Sequence, residues 1–145
     1  MSASTMFDAG NPSAADLVDR SGSRPDIAVL GYPVISMTAP WTHAGSKTNL
    51  LGNDPDANLA RRLSGENAVT KDTPPTFIFQ TNEDTTVPAE NSLHYFLALR
   101  QAGVPAEMHL FEHGRHGAGL ANGDASLAPW STLLANWLRG RSFIK

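Results

Sequence analysis

Thr76-Phe77-Ile78-Phe79-Gln80, set between Pro74-Pro75 and the polar group Thr81-Asn82-Glu83-Asp84, is the stretch from which the fold can be read. A short run of β-branched and aromatic residues bounded by turn formers specifies a strand. Upstream, Asp26-Ile27-Ala28-Val29-Leu30 is continuously apolar rather than alternating and stops at Gly31-Tyr32-Pro33. That pattern predicts a strand buried on both faces, and hence a parallel sheet. Downstream, Ala106-Glu107-Met108-His109-Leu110-Phe111 starts after Pro105 and runs into Glu112-His113-Gly114. Its mixture of polar and apolar residues predicts an edge strand.

Between the second and third strands, Ser92 to Ala102 carries Leu93, Phe96, Leu97 and Arg100 at helical spacing, with Gly103 placed to end the helix. A final helix from Pro129 to Arg139 puts Trp130, Leu133, Leu134, Trp137 and Leu138 on one stripe, with Gly140 beyond its end. Together these elements define an α/β, three-layer architecture: a short parallel sheet of about three strands flanked by helices. Residues 34 to 58, with Pro40, Gly45, Gly52 and Pro55, read as a long irregular insertion of the kind that covers a site, and a short helix is expected from Ala57 to Leu63. Ala14 to Arg20 is expected to form one further short helix.

A length of 145 residues fits a single domain, 1–145, and no internal repeat is visible. Eleven Lys plus Arg against fourteen Asp plus Glu leave a net charge of -3, which provides no basic field for nucleic acid or an anionic membrane. Zero cysteines exclude a disulfide framework, a thiolate zinc site and a cysteine nucleophile. No apolar run approaches the roughly 20 residues that cross a bilayer, and no export signal opens the chain. A soluble protein, cytoplasmic by default, is expected.

Functional groups gather beyond the carboxyl ends of parallel strands. Tyr32, Pro33 and Ser36 follow the first strand, Glu83 and Asp84 the second, and His113 and His116 the third. A carboxylate and an imidazole at neighbouring strand ends can form the acid-His half of a hydrolytic relay, and acid before histidine is the chain order of a strand-helix hydrolase. Plainer readings exist for the same residues: Asp84 could cap its loop, His116 could be a solvated turn histidine, and Ser36 could be an ordinary turn serine. Trp41 could line a pocket or anchor the insertion. His109, His113 and His116 with Glu112 fit no zinc spacing, and Gly114-Arg115-His116-Gly117-Ala118-Gly119 has the wrong order for a dinucleotide loop. Neither a metal nor a cofactor is expected.

The run Asn82-Glu83-Asp84-Thr85-Thr86-Val87-Pro88, followed by a helix, a strand and Gly114-Arg115-His116-Gly117, resembles the C-terminal part of α/β-hydrolase esterases of the acetylesterase and prolyl-oligopeptidase-like group. The resemblance extends to Tyr32-Pro33-Val34-Ile35-Ser36, to His43-Ala44-Gly45-Ser46 and to Asn49-Leu50-Leu51-Gly52, and so covers roughly residues 24 to 140. It implies that Asp84 is the catalytic acid and His116 the base, in hydrolysis of short-chain carboxylic esters by serine-type acyl transfer. Tyr32, Trp41 and His43 become candidate substrate-binding residues.

One part of the pattern is missing. No serine of this sequence stands in a Gly-x-Ser-x-Gly frame, the sharp strand-to-helix turn that carries the nucleophile. Ser2-Ala3-Ser4-Thr5 and Phe7-Asp8-Ala9-Gly10-Asn11-Pro12 resemble the segment after that turn, so the resemblance places the nucleophile ahead of Met1. The first strand would then lack its usual neighbour, and a homodimer through that edge is expected to complete the sheet. If the chain is active alone, Ser36 is the best-placed nucleophile candidate. The alternative is an inactive or partner-dependent hydrolase fragment that folds as an oligomer.

Overall fold

A computed structural model describes residues 2–145. A single 3-10 turn, Ser2–Ser4, precedes the first strand, β1 (Ala28–Gly31). Then follow α1 (Ala44–Leu51), α2 (Ala57–Arg62), α3 (Gly65–Ala68), β2 (Thr76–Thr81), α4 (Glu90–Gln101), β3 (Ala106–Phe111) and α5 (Pro129–Gly140). The strands form a parallel sheet in the order β1-β2-β3. The register sets Phe77 beside Val29 and Glu107, and Phe79 beside Gly31 and His109.

β2 has a strand on each side, and all six of its residues are buried. Alternation along a strand sends successive side chains to opposite faces. Ile78 accordingly joins Ile35, Tyr95, Leu99 and Val104 in the layer under α4. Phe77 and Phe79 join Tyr32 and Trp137 in the layer under α5, where Trp130, Leu133, Leu134 and Leu138 complete the stripe read from the sequence. The three-layer arrangement of helix, sheet and helix is thus set by one strand.

The structure corrects several expectations. β1 is not buried on both faces: with β2 as its one neighbour among the described residues, Val29 remains 42% exposed. The Ala28 and Tyr32 amides donate to Pro75 and Phe79, so the intervening odd-numbered residues turn their backbone groups to the open edge. In α4 the buried face is Asn91, Ser92, Tyr95 and Leu99, while Leu93 and Leu97 of the anticipated stripe are exposed. The Tyr95 and Leu99 pair, one turn apart, fixes that phase because it inserts against Ile78. Residues 34 to 58 are not wholly irregular, since α1 lies within them, opened by His43 as its N-cap and closed by Gly52 at φ 82°. Residues 14–20 form turns rather than a helix. Leu17 and Val18 are adjacent instead of one turn apart, so no apolar stripe exists to bury, and both are exposed.

One buried side chain ties the insertion to the sheet. Asn91, at the start of α4, accepts with Oδ1 from the Ile35 and Ser36 amides at 3.0 and 3.1 Å. Its Nδ2 donates to the Trp41 and Pro88 carbonyls at 2.9 and 3.1 Å. All four hydrogen bonds available to an amide side chain are therefore made. Truncation would strand two buried amides, each costing about 1–3 kcal/mol. Asn91→Ala is expected to lower stability by about 3 kcal/mol, read as a fall in the urea midpoint at unchanged slope; a midpoint within error of the wild type would refute this assignment.

Candidate active site

The β2–β3 ladder ends where the Asn82 amide donates to the Phe111 carbonyl at 2.8 Å. Beyond that point the chain leaves the sheet as two loops, one carrying Asp84 and the other His116. Asp84 is held by its own loop: Oδ1 accepts from the Thr86 and Val87 amides at 2.9 and 2.8 Å. Gln80, the fifth residue of β2, donates from below to Oδ2 at 3.3 Å and to the Val87 carbonyl at 2.8 Å. The remaining contact of Oδ2 is with His116 Nδ1 at 2.7 Å.

An ionised carboxylate can only accept, so in the neutral imidazole Nδ1 carries the proton and Nε2 the lone pair. Nε2 has no hydrogen-bond partner among the described residues, and the His116 side chain is 36% exposed whereas that of Asp84 is fully enclosed. The imidazole is therefore anchored on one nitrogen and open on the other.

Tyr32 follows β1 with φ 50°, a conformation that costs a non-glycine residue energy. Its ring lies 5.2 Å from that of His116 and 4.9 Å from that of Phe79, and burial raises its phenol pKa. Beside it is an open depression of about 440 Å³ lined by Gly31, Tyr32, Phe79, Leu120 and Trp130. Gly31 is required here, because a Cβ would meet the Phe79 ring at 2.5 Å. That ring is stacked on Trp130 at 4.1 Å.

The other candidates have contacts of their own. Ser36 is almost fully buried, and its Oγ accepts from the Thr38 and Ala39 amides at 3.3 and 3.0 Å. Among the described residues no hydrogen bond joins it to His116. His43 uses Nδ1 at the head of α1, on the Ser46 amide at 3.2 Å and hydroxyl at 2.8 Å. Trp41 stacks on His94 at 4.5 Å and gives its carbonyl to Asn91. These contacts anchor the insertion to α4. His109 pairs with Glu107 at 2.8 Å along β3.

Sequence reasoning passed over two features of the site. Gln80 reads as an ordinary strand residue, and only its burial beneath Asp84 gives it a role. Glu83 and His113 stand at the strand ends with nothing in the sequence to pair them, yet Glu83 Oε1 meets His113 Nδ1 at 2.8 Å. The hydrogen bond from His113 lowers the pKa of Glu83, and the same bond to Glu83 raises that of His113.

A parallel α/β sandwich with a carboxylate and an imidazole in contact beyond adjacent strand ends is the arrangement of the α/β-hydrolase class. Within that class, the sequence profile of the prolyl oligopeptidase family matches residues 18–141, and the chain belongs to that family. Endo-1,4-beta-xylanase B of Butyrivibrio fibrisolvens is 42% identical over 121 residues, covering 83% of this chain and 18% of that protein. Acetylxylan esterase of Xylanibacter ruminicola is 35% identical over 120 residues, covering 80% of this chain and 25% of that one. The crystal structure of an acetyl ester-xyloside bifunctional hydrolase from Caldicellulosiruptor lactoaceticus superposes with a TM-score of 0.95 at 46% identity, covering 99% of this chain and 52% of its own. A carboxylesterase from Lactobacillus plantarum superposes at 0.69 with 32% identity, covering 84% and 46%. The chain thus spans about half the length of these solved structures and a quarter or less of the curated relatives.

The Glu83–His113 pair has a defined pH window. His113 is raised above its ordinary 6.5, so its contribution to stability is complete below that value and is lost as pH rises through the folded pKa. Glu83 is lowered below its ordinary 4.5, so its contribution is complete above that value and is lost as pH falls through the folded pKa. The pair is strongest between the two. In Glu83→Gln the His113 midpoint, followed by proton NMR, is expected to fall towards 6.5; an unmoved midpoint would exclude the contact.

Proposed function

We propose that this chain supplies the acid and base of a carboxylic ester hydrolase acting on short-chain esters by serine-type acyl transfer. The observation that carries the reading is the 2.7 Å contact between Asp84 and His116 Nδ1, with Nε2 left open beside the Tyr32 depression. In this mechanism Nε2 takes the proton of a serine hydroxyl as its oxygen bonds to the ester carbonyl. Asp84 stabilises the resulting imidazolium, which then protonates the departing alcohol. Water, deprotonated by the same Nε2, hydrolyses the acyl-enzyme and restores the serine. The printed identities of the relatives, an acetylxylan esterase and an acetyl ester-xyloside hydrolase among them, support acetyl esters as the substrate class.

The nucleophile in this proposal is a serine outside these 145 residues. Support comes from the absence of a Gly-x-Ser-x-Gly frame and from the enclosure of Ser36, whose hydroxyl is engaged with its own turn. The open edge of β1 is the seam at which the serine-bearing polypeptide would add its strand, consistent with a match that spans 52% of the Caldicellulosiruptor hydrolase. A homodimer through β1 is the second reading, favoured by the same exposed edge; monomers alone in sedimentation at tens of micromolar would remove it.

The test is a chimera in which the portion of that hydrolase left uncovered by the match is joined to this chain. Turnover of p-nitrophenyl acetate is expected, with kcat lowered about 10³-fold by His116→Ala and also strongly by Asp84→Asn. A folded chimera whose turnover survives His116→Ala would refute the relay. Fluorophosphonate labelling of Ser36 in the unfused chain would instead show that the nucleophile is internal.

A further inference from the structure

Two carboxylate-imidazole contacts join the same pair of loops, and the proposed relay uses just one. Glu83 precedes Asp84 by one residue, and His113 precedes His116 by three. Glu83 holds the second loop with both oxygens, Oε1 on His113 Nδ1 at 2.8 Å and Oε2 accepting from the Gly114 amide at 3.3 Å. Gly114 is where that loop turns: it has φ 132°, and a Cβ would meet Thr81 Cγ2 at 2.8 Å. A carboxylate fastened to this amide therefore fixes the loop at the turn that starts it towards His116.

The relay contact is held unevenly. Asp84 is fixed from its own side by Thr86, Val87 and Gln80. His116 has no hydrogen bond other than that to Asp84 among the described residues, and its ring rests on Tyr32. The backbone ladder stops at Asn82 and Phe111, so past that point the two loops are joined by hydrogen bonds that Glu83 and Asp84 accept from the second loop.

We propose that Glu83 and His113 are positioning residues: together they form a clamp that holds the His116 loop at the distance where Nδ1 stays bonded to Asp84. The proposal rests on the acid-base reading of Asp84 and His116 and deepens it. Both side chains of the clamp are more than half exposed, so its role is to select one loop geometry rather than to stabilise the fold. A bidentate carboxylate suits the task, because it restrains a side chain and the adjoining backbone together. Glu112, 3.6 Å from His113 Nε2, faces the other ring nitrogen but does not reach the first loop through any described contact.

The tautomer of His116 reads this positioning directly, through side-chain nitrogen NMR on the alkaline side of the imidazole range, where the charge of His113 is gone but its Nδ1–H and the Gly114 amide still donate to Glu83. The wild type is expected to show a single Nδ1–H tautomer. Glu83→Ala and His113→Ala are expected to lose that pattern and give the mixed tautomers of a free imidazole, with the urea midpoint little changed. Glu83→Gln retains an acceptor and is expected to recover most of the wild-type pattern. Asp84→Asn serves as the reference for loss of the relay contact itself. A pattern lost in Asp84→Asn but intact in Glu83→Ala and His113→Ala would overturn the clamp and leave the relay standing. A pattern indifferent to Asp84→Asn would overturn both.

Discussion

A strand with parallel neighbours on both edges has nowhere to place a side chain except into the layers above and below, and β2 is the strand under that constraint. Its alternation assigns Ile78 to the α4 side and Phe77 and Phe79 to the α5 side, so both helices are seated by residues one apart. Its two polar residues at the far end serve the transition out of the sheet. Gln80 turns from the core to the Asp84 loop, and the side chain of Thr81 lies where Gly114 must pass. The buried strand therefore orders the loops of the site as well as the core.

The same logic explains which features the sequence could reveal. Thr76 to Gln80 and the Trp130 to Leu138 stripe are local patterns whose burial follows from composition, and both are found as read. The face of α4 was not legible, because Leu93 and Leu97 are as apolar as Leu99, and the deciding contacts come from Ile35 and Ile78 far along the chain. β1 carried the composition of an interior strand, yet it sits at an edge of the described sheet. Composition reports the environment to which a strand is suited; it cannot report which neighbours are present.

At the site, the strand-end rule points to Asp84 and His116, and the family resemblance implies their roles. Distances add what neither could. His43 and Trp41 turn out to be engaged in capping and stacking, and Ser36 in a turn beneath Asn91. The roles of Gln80 and Asn91 are not legible in the sequence, because an amide in the middle of an apolar pattern has no periodic signature. Its value depends on which backbone groups lie opposite, and those belong to residues up to 56 positions away.

The open edge of β1 also bears on how the chain behaves before it is fully assembled. Its strand partner among the described residues, β2, begins some 45 residues later, so during synthesis β1 leaves the ribosome well ahead of that strand. Even after β2 arrives, Val29 and the outward backbone groups keep the character of a template for any extended peptide that drifts past. Wherever that edge is left uncovered, a charged or proline substitution at Val29, which belongs to neither buried cluster, would trade adhesion for persistence in solution.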